Sequence, residues 1–314
     1  MNQHFSEILP DIVNAINNNY TQSDLLLGKG DKRLPVRSTI IEILEDLKQL
    51  IFPGYFSIER VDSGNASYYT GQMLATLHRK LKKQIAIALA YDCNEEVTAG
   101  TPHIKQQAES ICCDFLSKIP DIQKMLLLDV QAGYDGDPAA DSREQIIFSY
   151  PGFYAIFVYR IAHELYKMKV PFIPRIMTEH AHNKTGIDIN AGATIGKYFF
   201  MDHGTGIVIG ETTVIGDYVK LYQGVTLGAL STRGGQHLSG VRRHPTIEDN
   251  VTIYSNATIL GGETVIGRES VIGGGAFITS SIPAKTRVSV TPPDLAIKND
   301  ARAELSATEY VYEI

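Results

Sequence analysis

Cysteine is scarce in this chain: three in 314 residues, Cys93, Cys112 and Cys113, two of them adjacent. An odd number in that arrangement is a poor disulfide framework, so reduced, buried thiols in the cytoplasm are expected. Cationic excess is missing too. With 29 Lys and Arg against 35 Asp and Glu the formal charge is −6, which argues against phosphate-backbone binding and hence a nucleic-acid partner. No uncharged apolar run reaches the roughly 18 residues of a membrane helix. The opening MNQHFSEILP has no cationic region ahead of an apolar core, so no signal peptide is expected. No G-x-G-x-x-G follows a predicted strand into a helix, and no G-K-[ST] occurs. Nucleotide-dependent redox and phosphoryl chemistry therefore have no support. What remains is an ordinary soluble composition, 44% apolar and 20% charged, long enough for two domains with sizeable cores.

Those two domains have different periods. Before about residue 183 the spacing is helical. Ile40, Ile43, Leu44, Leu47, Leu50 and Ile51 make one stripe over 40–51, and Met73, Leu77, Leu81, Ile85 and Ala88 another over 72–91. Further helices are expected at 103–118, 121–132 and 153–168, with breaks at 53–54, 100–102, 133–138 and 171–174.

From 189 to 282 an aliphatic residue recurs every sixth position: Ile189, Ile195, Met201, Ile207, then Ile209, Ile215, Leu221, Leu227, then Ile247, Ile253, Ile259, and Ile266, Ile272, Ile278. Six fits neither a helix nor a lone strand; it is the mark of a parallel β-helix coiled as a triangular prism. Gly follows six of the rungs, at 196, 210, 216, 228, 267 and 273, and the expectation is that it relaxes the backbone at the corners. Between Gly228 and Thr246 the ladder stops for a polar, Gly-rich loop, a place where function often sits. The fold expected is α+β: an all-α domain over 1–183, a left-handed parallel β-helix over 184–290, and a C-terminal tail over 291–314 that is acidic from Asp300 onward.

Polar residues that interrupt the ladder carry the chemistry. Asp202 and His203 follow a rung, and Asp188 lies one coil earlier. A carboxylate can hold an imidazole in one tautomer and stabilise it as it takes a proton; a His that only bonds a backbone group at a corner fits the spacing equally. Arg243 and His244 end the loop, a pair suited to a carboxylate, whereas Arg242 reads as solvated. His180 and His182 read as structural or exposed, and His163 as a packing or hydrogen-bonding residue. Only His203, His237 and His244 lie in or beside the ladder, two of them on one loop, so no catalytic metal is expected.

The run MDHGTGIVIGETTVIGDYV, followed by QGVTLG, a Gly-rich loop and RRHP, resembles the bacterial serine O-acetyltransferases of the hexapeptide-repeat acyltransferase superfamily. DGDPAADS at 135–142, FYAIFVYRIAHELY at 153–166 and GIDINAGATIG at 186–196 resemble the same family's helical domain and its entry into the prism. The resemblance spans roughly residues 130–285. It implies acetyl transfer from acetyl-CoA to L-serine, giving O-acetylserine for cysteine synthesis. It implies His203 as general base, Asp188 as the carboxylate that orients it, Asp137 and Asp202 facing the substrate ammonium, and Arg243 and His244 facing its carboxylate. Ala229 would offer a backbone N–H to the thioester oxyanion, and Ser255 and Gly274 would line the CoA groove. It further implies a trimer or a hexamer of two trimers, feedback by L-cysteine, and docking of the tail ending at Ile314 into O-acetylserine sulfhydrylase. The loop over 229–242 is longer than usual for the family, and TPPDLAIKND replaces its usual ending. Acetylation of homoserine or a sugar hydroxyl, or a non-catalytic scaffold for the sulfhydrylase, are the alternatives.

Overall fold

The computed structural model describes residues 3–28, 30, 32–93 and 97–291. The tail expected beyond them, with Ile314 at its end, lies outside the described residues. Among these residues the helices are α1 (Gln3–Gln22), α2 (Asp24–Leu27), α3 (Arg37–Ile51), α4 (Pro53–Phe56), α5 (Ala66–Asp92), α6 (Pro102–Gly136), α7 (Arg143–Ser149), α8 (Pro151–Lys167) and α9 (Ile173–Thr185). No described helix is long and apolar enough to cross a membrane. The stripe read on 40–51 is the buried face of α3 residue for residue.

One expected division between helices does not occur. The helices expected at 103–118 and 121–132 are one helix, α6, which runs through Pro120. Proline removes one helical hydrogen bond, but the buried positions Phe115, Ile119, Ile122 and Leu126 continue at helical spacing across it, so packing holds the helix together. The break expected at 171–174 separates α8 from α9, which starts at Ile173 with proline in its first turn. Gly186 closes α9 with φ of 70°, the left-handed cap that glycine takes without strain. Of the cysteines only Cys112 is buried; Cys93 is half-buried and Cys113 exposed, and all three are free. Burial pushes the Cys112 thiol up to about 12.

The strands form five coils of a parallel solenoid, fourteen strands on three faces. The first face stacks β1 (Asp188–Ile189), β4 (Val208–Ile209), β7 (Thr226–Gly228), β10 (Thr258–Leu260) and β13 (Phe277–Ile278). The second stacks β2 (Thr194–Ile195), β5 (Val214–Ile215), β8 (Thr246–Ile247) and β11 (Val265–Ile266). The third stacks β3 (Phe200–Asp202), β6 (Lys220–Tyr222), β9 (Thr252–Ile253), β12 (Val271–Ile272) and β14 (Arg287–Val288). Every rung of the ladder is buried, and rungs pair coil to coil, as Ile189 with Ile209 and Met201 with Leu221.

The glycines after the rungs serve a different purpose from the one expected. None of the six has positive φ; that conformation falls to non-glycine corner residues such as Tyr198, Tyr218, Asn250 and Glu269. A Cβ on Gly196 would lie 2.5 Å from the Gly216 carbonyl oxygen, and one on Gly216 would lie 2.2 Å from Asp249 Oδ1. The next coil passes too close for a side chain.

The helical domain closes the open end of the solenoid. The first coil has no coil before it, and its carbonyls find partners on α8. Tyr159 Oη donates to Ala193 O at 2.6 Å, His163 Nδ1 lies 2.8 Å from Ala191 O, and Arg160 donates to Ile195 O and Gly196 O at 3.0 and 2.7 Å. Arg160 also forms a two-pronged pair with Asp129 of α6, at 2.7 and 2.9 Å, and Asp129 Oδ1 accepts the Phe199 N–H at 3.0 Å. Both side chains are buried. Asp129→Ala leaves Arg160 buried without its counter-charge, a change worth about 3–5 kcal/mol of stability. Thermal unfolding should show a clearly lowered Tm, and an unchanged Tm would refute this role.

Candidate active site

The residues singled out in the sequence fall on two edges of the prism. On the edge between the third and first faces, β3 ends at Asp202 and the chain turns at His203 with φ of 58°. That left-handed backbone sends the imidazole outward, 76% exposed, with Nε2 3.6 Å from Asp202 Oδ1. Asp202 itself is only 13% exposed and lies 3.4 Å from Lys220 Nζ through its other oxygen.

Asp137 reaches this edge from the helical domain. It caps α6, its amide donating to Gly133 O at 3.1 Å. Gly136 and Gly152 let the helices press close: a Cβ on the first would meet Phe200 at 2.7 Å, and one on the second the Met201 carbonyl at 2.5 Å. Asp137 Oδ2 accepts from Tyr150 Oη at 2.6 Å and Oδ1 from the Ala139 N–H at 2.9 Å. The Tyr150 hydrogen bond leads in holding the Asp137 carboxyl below its ordinary value; burial opposes it, and the Ala139 N–H, Lys220 and His203 add to it. Burial, then Asp137, pushes the Tyr150 phenol up to about 12. Tyr150 is therefore the donor and Asp137 the acceptor through the neutral range.

Asp188 stands on the same edge, its amide donating to Ile207 O at 2.9 Å. No hydrogen bond or ion pair joins it to His203 among the described residues; it clusters instead with Glu179 and His182, their ligand atoms all within 4.8 Å of one another. Further down the same edge, Gly274 lies over Ser255, where a Cβ would sit 3.0 Å from the Ser255 carbonyl.

Arg243 and His244 occupy the edge between the first and second faces. Arg243 Nη2 pairs with Glu211 Oε2 at 2.5 Å, and Nη1 donates to Leu238 O and Val241 O at 3.2 Å each. Burial works to raise the Glu211 carboxyl, but hydrogen bonds from Arg243 and Tyr166 outweigh it and leave it lowered. His244 is buried beside Gly210, where any Cβ would strike its ring. Its Nδ1 accepts the Thr212 N–H at 3.1 Å, which places the proton of the neutral ring on Nε2. Burial first, then Arg243, lowers its pKa and keeps the ring neutral. Ala229 follows β7 at the mouth of the loop on this edge.

One face of the prism, roughly 15–20 Å at 3.3 Å per residue, separates the two groups within a chain. Sequence reasoning missed Tyr150, Lys220, Glu211, Thr212 and Tyr166. A signal existed for Lys220: the first two coils are 20 residues apart, pairing Phe200 with Lys220 and Asp202 with Tyr222, which sets the lysine beside the acid.

A family model for the N-terminal region of serine acetyltransferases matches residues 65–157. The plasmid serine acetyltransferase of Synechococcus elongatus is 44% identical over 226 residues, 69% of this chain and 70% of its own length. Serine acetyltransferase isoform 3 of Entamoeba histolytica, solved in complex with cysteine, superposes with a TM-score of 0.69 at 32% identity, over 94% of this chain and 96% of that one. The Brucella abortus serine acetyltransferase in complex with coenzyme A gives 0.52 at 28% identity, over 80% and 93%. With the helical region, the five-coil solenoid and these likenesses in agreement, the chain belongs to the serine acetyltransferase family.

Proposed function

We propose that this chain transfers acetyl from acetyl-CoA to the hydroxyl of L-serine, releasing O-acetylserine and CoA. The observation that carries the reading is the outward imidazole of His203 ringed by Asp202 and, from α6, Asp137. A hydroxyl ionises far above neutral pH, so its attack on a thioester needs a positioned base. His203 takes the serine proton as the oxygen bonds to the acetyl carbon, and returns it to the CoA sulfur as the carbon–sulfur bond breaks. Asp137 and Asp202 face the ammonium, and Arg243 with the Nε2–H of His244 faces the carboxylate. The Ala229 N–H is the candidate donor to the oxyanion. Gly274 over Ser255 leaves the edge flat, which suits an extended CoA arm. Asp188 serves as orienting carboxylate once the imidazole turns toward it. A sugar offers neither ammonium nor carboxylate to these groups; CoA release scanned over serine, homoserine and sugars tests the substrate.

The placement of the two half-sites supports a trimer. A rotation that sets the His203 edge of one chain against the Arg243 edge of its neighbour closes three whole sites. The apolar stripe of α1, exposed at Phe5, Ile8, Ile12, Ile16 and Tyr20, supports pairing of two trimers through their helices, because a surface helix buries such a stripe.

Three outcomes test this. His203→Ala should lower turnover about 10²–10⁴-fold with an unchanged Tm, since the ring is exposed; wild-type turnover would remove His203 from its role. Refolding His203→Ala together with Arg243→Ala, each inactive alone, should recover up to about a quarter of wild-type activity, because mixed rings contain intact junctions. No recovery would place both halves in one chain. Cysteine presents the same ammonium and carboxylate as serine and should inhibit competitively with it; activity indifferent to a large excess of cysteine would reject that.

A further inference from the structure

Between the two acids assigned to the substrate ammonium stands an ammonium that the chain supplies itself. Lys220 Nζ lies 3.4 Å from Asp202 Oδ2 and donates to the Gly136 carbonyl at 2.5 Å. Gly136 is the last residue of α6, where helix carbonyls carry partial negative charge. The rings of Phe200 and Tyr222 face the same nitrogen at 5.0 and 4.6 Å, within cation–π range. A lysine on an outward strand position ordinarily keeps its head in water. This one is 21% exposed, with a carboxylate, a carbonyl and two ring faces around its charge.

The geometry points to Lys220 as a positioning residue for the acceptor amino acid, clamping the end of α6, and with it Asp137, against Asp202 so that both carboxylates meet one ammonium. The inference rests on the roles given above to Asp137 and Asp202. The charges agree with it. Two carboxylates and one lysine sum to −1, the complement of a single ammonium.

Removing Lys220 has two opposed effects. Asp202 is freed from a competing cation, which favours substrate; but the ion pair is long and near solvent, and such pairs count for at most about fivefold in affinity. The end of α6 is released at the same time. A charge-assisted hydrogen bond to a carbonyl counts for roughly ten- to a hundredfold, so loss of position wins and binding weakens.

Lys220→Met keeps the length of the side chain and removes its charge. In full-length protein the serine KM should rise about tenfold or more, with kcat and the acetyl-CoA KM within about threefold of wild type. Lys220→Ala should show the same split, and propylammonium chloride should restore its serine KM while 1-propanol at equal concentration does not. A wild-type serine KM in Lys220→Met, equal loss toward both substrates, or no response to propylammonium would overturn the inference. If the wild-type protein releases no CoA with serine, the substrate assignment fails instead. The clamp is then read by thermal unfolding: propylammonium must raise the Tm of Lys220→Ala and leave the wild type unmoved, and absence of that rise overturns the clamp as well.

Discussion

Arg160 is a full charge taken out of water, and an unpaired buried guanidinium would cost several kcal/mol. Its N–H groups are answered by both oxygens of Asp129 and by the carbonyls of Ile195 and Gly196. Three parts of the molecule meet there: α6 through Asp129, α8 through Arg160, and the first coil through its backbone. An apolar contact would tolerate sliding between helix and coil, whereas a fork of directed hydrogen bonds fixes both distance and rotation. The position of α6 relative to β3 follows, and with it the position of Asp137 relative to Asp202 and His203.

The first edge of the prism is built outward from that anchor. Gly136 and Gly152 allow the helices to approach the coil within contact of Phe200 and Met201. Tyr150, at the start of α8, then donates to Asp137, and Lys220 reaches across from β6 to the end of α6. The second edge is organised by a different anchor, the contact of His244 with Gly210 and Thr212, which seats the end of the long loop as the ladder resumes. The first edge carries Asp137, Asp202 and Lys220, and the second carries the Arg243–Glu211 pair beside a neutral His244.

Much of this was legible in the sequence because the signals are local. Each rung of the ladder must be apolar, and a six-residue period is visible without knowing what packs on what. The stripes of α3 and α5 are equally local. What escaped reading depends on contacts between distant segments. The glycines after the rungs are tied to the coil above, not to their own backbone angles. Pro120 reads as a break until the buried positions on both sides are seen to share one face. Asp188 and His203 are one coil apart in sequence and on one edge in space, yet their side chains point at different neighbours. Tyr150 and Lys220 carry no motif; only the docking of α6 and α8 on the first coil gives them partners.

The loop between β7 and β8 leaves the prism and returns without disturbing it, because β7 pairs directly with β10 and β8 with β5. Its length is decoupled from the frame. Doubling such a loop adds only about 0.6 kcal/mol of closure entropy, and the coils take up extra residues only at their corners, as between Ile259 and Ile266, where Ile266, Ile272 and Ile278 stay buried. The molecule thus contains a segment free to drift in length and composition beside a scaffold whose inward rungs must stay in step. Diversity in the length and composition of that loop can accumulate one residue at a time, at nearly constant stability.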